Sequence, residues 1–136
     1  MLSLDVQVWR VFLHVIAATV WVGGQLVLAG LLSTLRGLGD DAPRQAARRF
    51  NALAWPAFAV LVVTGIWNLL EVDVGDTSTE YQVTLGLKLL LVAASGVGAF
   101  VHSNTTSKVV LAVGGAASAV GGIAALLLGI SLSMGA

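Results

Sequence analysis

The sequence contains no cysteine, and its only two methionines are Met1 and Met134. Without cysteine the chain has no disulfide, no thiolate metal site and no cysteine-ligated iron–sulfur cluster. Two methionines at opposite ends of the chain also cannot form the run of thioether ligands that suits Cu(I). Any metal bound by this protein must therefore be held mainly by nitrogen or oxygen ligands.

Charge is scarce as well, at 10% of the 136 residues, whereas 57% are hydrophobic. A soluble domain carries about 25% charged residues. This composition predicts an all-α integral membrane four-helix bundle, because the length allows about four spans of 20–25 residues. We expect one transmembrane domain, residues 1–136, in contact with the lipid bilayer. Seven basic and seven acidic residues balance to zero net charge, which argues against a nucleic-acid partner.

Apolar runs predict four transmembrane helices, and polar or turn-forming segments separate them. The predicted spans are about 8–32, 50–70, 81–102 and 109–133. Pro43 suits the first turn of a helix, and Pro56 should bend the second span. In the fourth span Gly114, Ser118 and Gly122 recur every four residues, a spacing of small residues that favours close helix contact. This glycine-rich face predicts a homo-oligomer or a larger membrane complex.

Basic residues predict the orientation in the membrane. The loops after the first and third spans carry most of them, whereas the other side has only Arg10. The basic loop residues are Arg36, Arg44, Arg48, Arg49 and Lys108. The positive-inside rule then places both termini outside a plasma (inner) membrane.

The first span carries polar side chains at helical spacing. His14, Ala18, Trp21, Gln25 and Leu28 follow at steps of four, three, four and three, which places them on one helix face. Since lipid disfavours histidine and glutamine, this face should meet protein or a ligand. Trp21 lies at mid-depth, away from either interfacial belt, and so belongs with the same candidate site.

Lys88 is the only full charge well inside a predicted span. Such a residue costs about 2.5–3.5 kcal/mol on insertion scales unless it is paired, hydrated or deprotonated. A nearby acid such as Glu71, water or an anionic ligand would compensate it, and snorkelling to the headgroups is an equal alternative. His14 and Lys88 lie at similar depths, roughly 8–11 Å below the outer interface. Asn68 lies near the same end of its span.

His14 has three interpretations. It is a buried histidine bonded to Gln25, Asn68 or a backbone carbonyl, an axial haem ligand, or a ligand of copper or another metal. For haem, small neighbours leave room for the macrocycle, Trp21 would pack on the porphyrin and Lys88 would pair with a propionate. His102 lies about 20 Å from Lys88 in depth, so it cannot share a metal with His14 and is interpreted as an interfacial residue.

Hydrolytic and phosphoryl-transfer signatures are missing from the sequence. There are no paired carboxylates within the spans, no nucleophile elbow, no P-loop and no HExxH motif. We therefore favour a non-enzymatic role, and the alternative is a haem-dependent membrane oxidoreductase.

Three sequence segments resemble a known family. They are LHVIAATVWVGG in the first span, RRFNALAWPAF with a later Thr-Gly in the second, and YQVTLGLKLLLV in the third. Together they resemble the copper-resistance D (CopD) type of membrane domain, which implies copper uptake or resistance. The chain is also similar to the HemJ type of four-helix haem protein. That resemblance implies His14 as the haem b ligand and a functional role for Lys88.

Three functions follow as alternatives: copper handling at the membrane, haem b-dependent redox or electron transfer, and a cofactor-free accessory subunit of a membrane complex. The candidate cofactor-binding residues are His14, Trp21, Gln25, Asn68 and Lys88, and His14 is also the candidate metal ligand. The cofactor is accordingly haem b or copper.

Overall fold

A computed structural model describes residues 4–135, which are almost entirely helical and include no strand. Four helices are long and apolar enough to cross a membrane. They are α1 (Val6–Gly37), α2 (Ala42–Leu70), α3 (Thr79–Asn104) and α4 (Lys108–Ser133). A short 3-10 turn, Val74–Asp76, precedes α3. The predicted class, an all-α integral membrane protein with four spanning helices, is confirmed.

Each helix extends beyond its predicted span because polar residues at the ends support further turns. Side chains of Asp5, Ser78 and Ser107 accept hydrogen bonds from backbone N–H groups in the first turns of α1, α3 and α4. Helix α2 starts eight residues before its predicted span, with Pro43 in its first turn as expected. Pro56 lies inside α2.

Large apolar side chains cover much of the helical surface. Val27, Leu90 and Leu127 are each more than 60% exposed. Exposed aliphatic surface on this scale fits lipid tails and is uncommon on water-soluble monomers. Contact with a bilayer therefore follows from the fold. The choice of the plasma membrane and the outward position of both termini stay predictions.

The chain divides into two compact units, Met1–Val72 and Asp73–Ala136. The prediction of a single domain stays a prediction, and each unit is described by itself. In the first unit α1 and α2 run antiparallel. Their contacts join Arg10 with Glu71 at one level and Gly24 with Phe50 at another. Between these levels α1 contains a π-helical segment, Thr19–Gly23, which the sequence analysis did not predict.

The second unit is the antiparallel pair α3 and α4, packed closely through small residues. The Ser95 hydroxyl donates to the Ser118 carbonyl at 2.7 Å, and both residues are buried. A β-carbon at Gly98 would lie 2.6 Å from the Gly114 carbonyl oxygen, so only glycine allows this approach. Close contact of this kind lets van der Waals packing hold membrane helices together.

Part of the glycine-rich face of α4 has its neighbour within the same chain. Gly114 and Ser118 are buried and contact α3 of the same chain. Gly122 is also buried. The physical reason is that the small residues Ser95 and Gly98 lie about one turn apart on α3 and allow the two backbones to approach closely. A homo-oligomer or larger complex through the fourth helix stays a prediction.

Candidate functional site

His14 is held between α1 and α2 by a hydrogen bond to a buried threonine. Its Nδ1 lies 2.8 Å from Oγ1 of Thr64, a residue only 3% exposed. The Thr64 hydroxyl also lies 2.7 Å from the carbonyl oxygen of Val60, one turn earlier in α2. Threonine commonly donates in this way to the carbonyl four residues back in membrane helices. The side chains of His14 and Thr64 thus form a short chain that ends on the backbone.

This arrangement assigns the tautomer of His14. A hydroxyl has one proton, and the Thr64 oxygen lies within hydrogen-bond distance of the Val60 and Leu61 carbonyls, which can only accept, so we assign that proton to the helix backbone. With this assignment the Thr64 oxygen accepts from Nδ1–H of His14. The ring lone pair consequently lies on Nε2, the nitrogen that metal-binding histidines often use when Nδ1–H is hydrogen-bonded. The interpretation of His14 as a hydrogen-bonded histidine holds, although the bonding partner here is Thr64.

Small residues surround the His14 ring. A β-carbon at Gly65 would lie 3.6 Å from Cε1 of His14, so the imidazole lies against the helix backbone there. Ala17, one turn further along α1, is buried at 4% exposure. Neither position has a side chain long enough to cover the ring. The His14 ring therefore packs closely against the backbone of α2 at Gly65.

Trp21 belongs to an aromatic cluster within the first unit. Its ring centroid lies 4.4 Å from that of Phe58 and 5.3 Å from that of Trp55. Trp21 is 2% exposed and lies in the π-helical segment of α1. Such rings bury a large area and favour tilted or edge-to-face packing. This packing accounts for Trp21 without any bound porphyrin, and it places Trp55 in the same cluster, near the middle of α2.

Gln25 and Asn68 are not joined to His14. Both side chains are half-buried, and neither makes a hydrogen bond to any residue within 4–135. Asn68 lies one turn beyond Thr64 on α2 and so shares its helix face. At the level of Gln25, the contact to α2 is made by Gly24, whose Cα lies against the Phe50 ring. These two amides stay predicted site residues without a contact that supports them.

Lys88 lies in the second unit, where its side chain reaches α4. A β-carbon at Gly129 would lie 3.1 Å from its Nζ. Within residues 73–135 the ammonium has no ion-pair partner. Glu71, one of the acids expected to compensate it, lies instead 4.0 Å from Arg10. Because residue 129 is a glycine, there is space beside α4 for the end of the Lys88 side chain.

His102 serves the contact between α3 and α4. Its Nδ1 lies 2.6 Å from the Leu111 carbonyl oxygen, so Nδ1 carries the proton and donates it. The ring packs on Gly115, where a β-carbon would come within 2.9 Å of Nδ1. The side chain is exposed near the end of its helix, as an interfacial histidine would be. Nowhere in residues 4–135 do three or more His, Cys, Asp or Glu side chains form a metal-binding group.

Two further polar residues emerge from the structure. Thr64 entered the sequence analysis only as part of the Thr-Gly in the second span, whereas its hydroxyl forms a hydrogen bond with His14. Arg10 was counted only as a charge, yet its side chain is largely buried beside Trp67 and Glu71. The signal for Arg10 was its position one turn before His14, on the face that meets α2.

The four apolar helices, with His14 on the face where α1 meets α2, define an integral membrane protein of the all-α class. The family model of copper resistance protein D (CopD) matches residues 44–134, which is more than half of the chain. The chain therefore belongs to the CopD family. No curated protein and no solved structure matches it. The matched region contains Asn68 and Lys88, whereas His14 precedes it.

Proposed function

We propose that the protein handles copper within the membrane and that His14 is the residue that contacts it. Membership of the CopD family supports copper as the cargo. The support for His14 is the hydrogen bond of its Nδ1 to Thr64, which leaves the ring lone pair on Nε2. Neutral imidazole nitrogen is a good ligand for copper. The observation that carries this proposal is the hydrogen bond between Thr64 and the Nδ1 of a histidine inside a spanning helix.

The ligand set favours transient contact over storage. No group of three ligating side chains occurs in residues 4–135. One imidazole would then share copper with water, backbone carbonyls or a ligand from outside the chain. Since a single imidazole holds metal weakly, cellular copper content is a better measure than copper retained after purification.

The two histidines of the chain provide a matched pair for the test. We would compare cellular copper by mass spectrometry, and growth in added copper, for wild type, His14→Ala and His102→Ala at equal expression. We expect His14→Ala to match cells that lack the protein and His102→Ala to match wild type, because His102 serves helix packing. Equal behaviour of His14→Ala and wild type would exclude His14 as the copper contact.

Haem b bound through His14 is the second candidate, and one observation favours it. An axial haem histidine needs only Nε2 on the iron, with Nδ1–H hydrogen-bonded as it is to Thr64. The fit is incomplete, because Trp21 packs inside the aromatic cluster rather than along an open wall. Haem would supply one-electron redox chemistry, and His14 would bind and orient it.

An absorption spectrum separates the two candidates. The detergent-purified protein would be measured oxidised and after dithionite reduction, with metal analysis of the same sample. Haem predicts a Soret band that is lost in His14→Ala and kept in His102→Ala. Copper handling predicts no Soret band in any of the three proteins, together with the cellular copper difference described above.

A further inference from the structure

A cavity of about 360 Å³ lies in the first unit, where α1 begins and α2 ends. It is lined by Val6, Gln7, Arg10, Trp67, Glu71 and Val72. The volume is within the range of small-ligand sites, and the lining combines apolar walls with a few polar groups. Neither the copper proposal nor the haem alternative uses this cavity.

Arg10 is the principal polar group of the cavity. Its side chain is only 11% exposed, and its guanidinium lies over the Trp67 ring, 5.9 Å from the centroid. Nη1 lies 4.0 Å from Oε2 of Glu71, the outer limit of an ion pair. Nε is buried and has no hydrogen-bond partner among residues 4–135. A buried donor of a charged group without an acceptor is costly, so an oxyanion in the cavity would stabilise this end of the unit.

The charges of Arg10 and Glu71 restrict the class of ligand that the cavity can bind. The planar guanidinium donates through Nε–H and Nη–H together, a geometry that matches phosphate. Glu71 would repel a simple anion at the same place, but its side chain is 55% exposed and can accept from a cation. A group that carries both phosphate and ammonium satisfies both residues. The amino group must be near the phosphate, as it is in an ethanolamine phosphate.

The position in the fold indicates where such a group comes from. The cavity lies at helix ends, where hydrocarbon gives way to headgroups, and tryptophan is enriched at that boundary. We propose that this cavity binds the headgroup of a zwitterionic aminophospholipid, with the phosphate on Arg10 and the ammonium on Glu71. Trp67 and Val72 then lie beside the apolar part of the lipid.

The test measures lipid binding to the purified full-length chain by native mass spectrometry. Phosphatidylethanolamine and phosphatidylglycerol, which have the same phosphate but differ in the amino group, are added at equal concentration. The wild type should prefer phosphatidylethanolamine. Arg10→Gln should reduce binding of both lipids about tenfold or more, because charge-assisted hydrogen bonds are lost. Glu71→Gln should remove the preference and keep phosphatidylglycerol bound.

Arg36→Gln is the charge-matched control, since Arg36 is exposed near the opposite end of α1, and it should bind both lipids as wild type does. Arg10→Lys keeps the charge without the planar donor pair and should bind less than wild type, which covers the case in which Arg10→Gln does not fold. Equal binding of the two lipids by wild type, or unchanged binding in Arg10→Lys and Arg10→Gln, would overturn the proposal. If inorganic phosphate stabilised the protein against heat as much as phosphatidylethanolamine does, the ligand would not be a lipid headgroup.

Discussion

At the scale of single residues, the hydrogen bond from His14 to Thr64 gives the first prediction. Thr64→Val keeps the shape of the side chain but removes the acceptor for Nδ1–H, so the imidazole loses its fixed tautomer. Loss of such a partner lowers metal affinity about 10–100-fold. We expect cellular copper to fall toward the His14→Ala level while folding is retained, and Thr64→Ser to restore it.

Thr19→Val is the matched control for this substitution. The Thr19 hydroxyl also donates to the carbonyl four residues back, at 2.9 Å from Val15, but it does not accept from a histidine. If Thr19→Val lowered copper as much as Thr64→Val, the effect would reflect helix structure rather than the orientation of His14.

Trp21 gives a second prediction at this scale, because the structure accounts for it by packing. Trp21→Ala should lower the free energy of unfolding by about 3–5 kcal/mol, since a fully buried aromatic side chain leaves a cavity. Trp9→Ala is the control, because Trp9 is 52% exposed, and we expect little change. Thermal unfolding in detergent measures both. Should Trp21→Phe keep stability yet abolish cofactor or copper handling, Trp21 would be a ligand-contacting residue after all.

At the scale of helices, the close approach of α3 and α4 predicts opposite effects of two glycine substitutions in α3. Gly98→Ala places a methyl group against the Gly114 backbone and should destabilise the protein by about 1–3 kcal/mol. At Gly86 a β-carbon would meet nothing within 4 Å. Gly86→Ala should therefore stabilise by up to about 1 kcal/mol through helix propensity. The free energy of unfolding would be measured for both variants. A change in the same direction for both would contradict the close contact between α3 and α4.

The helices were largely predictable from sequence, and the reasons are physical. Apolar runs of spanning length gave all four helices, since a bilayer admits little else. N-terminal caps at Asp5, Ser78 and Ser107 account for shifts of one or two residues at three helix starts. The larger errors, eight residues at the start of α2 and five at the end of α1, arose because both helices continue into polar sequence that hydropathy assigns to a loop. No sequence pattern predicted the π-helical segment Thr19–Gly23. A π-helical turn contains one more residue than an α-helical turn, and this difference leaves the composition unchanged.

The candidate site was predictable only in part. His14 and Trp21 were correctly placed on a face that meets protein, because lipid excludes such residues. Their partners Thr64 and Phe58 depend on the register of α1 against α2, which no periodicity within one helix determines. The same holds for Gly114, whose periodicity predicted a close contact but not that α3 would supply it.

At the scale of the whole molecule, the remaining prediction concerns orientation, and the absence of cysteine makes it directly testable. Single-cysteine variants can be labelled without any background from the rest of the chain. Asp40→Cys lies between α1 and α2, and Asp76→Cys lies between α2 and α3; both positions are exposed.

A membrane-impermeant maleimide should label Asp76→Cys in intact cells and Asp40→Cys only after lysis. The reason is that Arg36, Arg44, Arg48 and Arg49 flank position 40, and such basic loops stay in the cytoplasm. Labelling in the reverse order would place the helix ends around Arg10 in the cytoplasm, and a proposed lipid contact there would be with the inner leaflet.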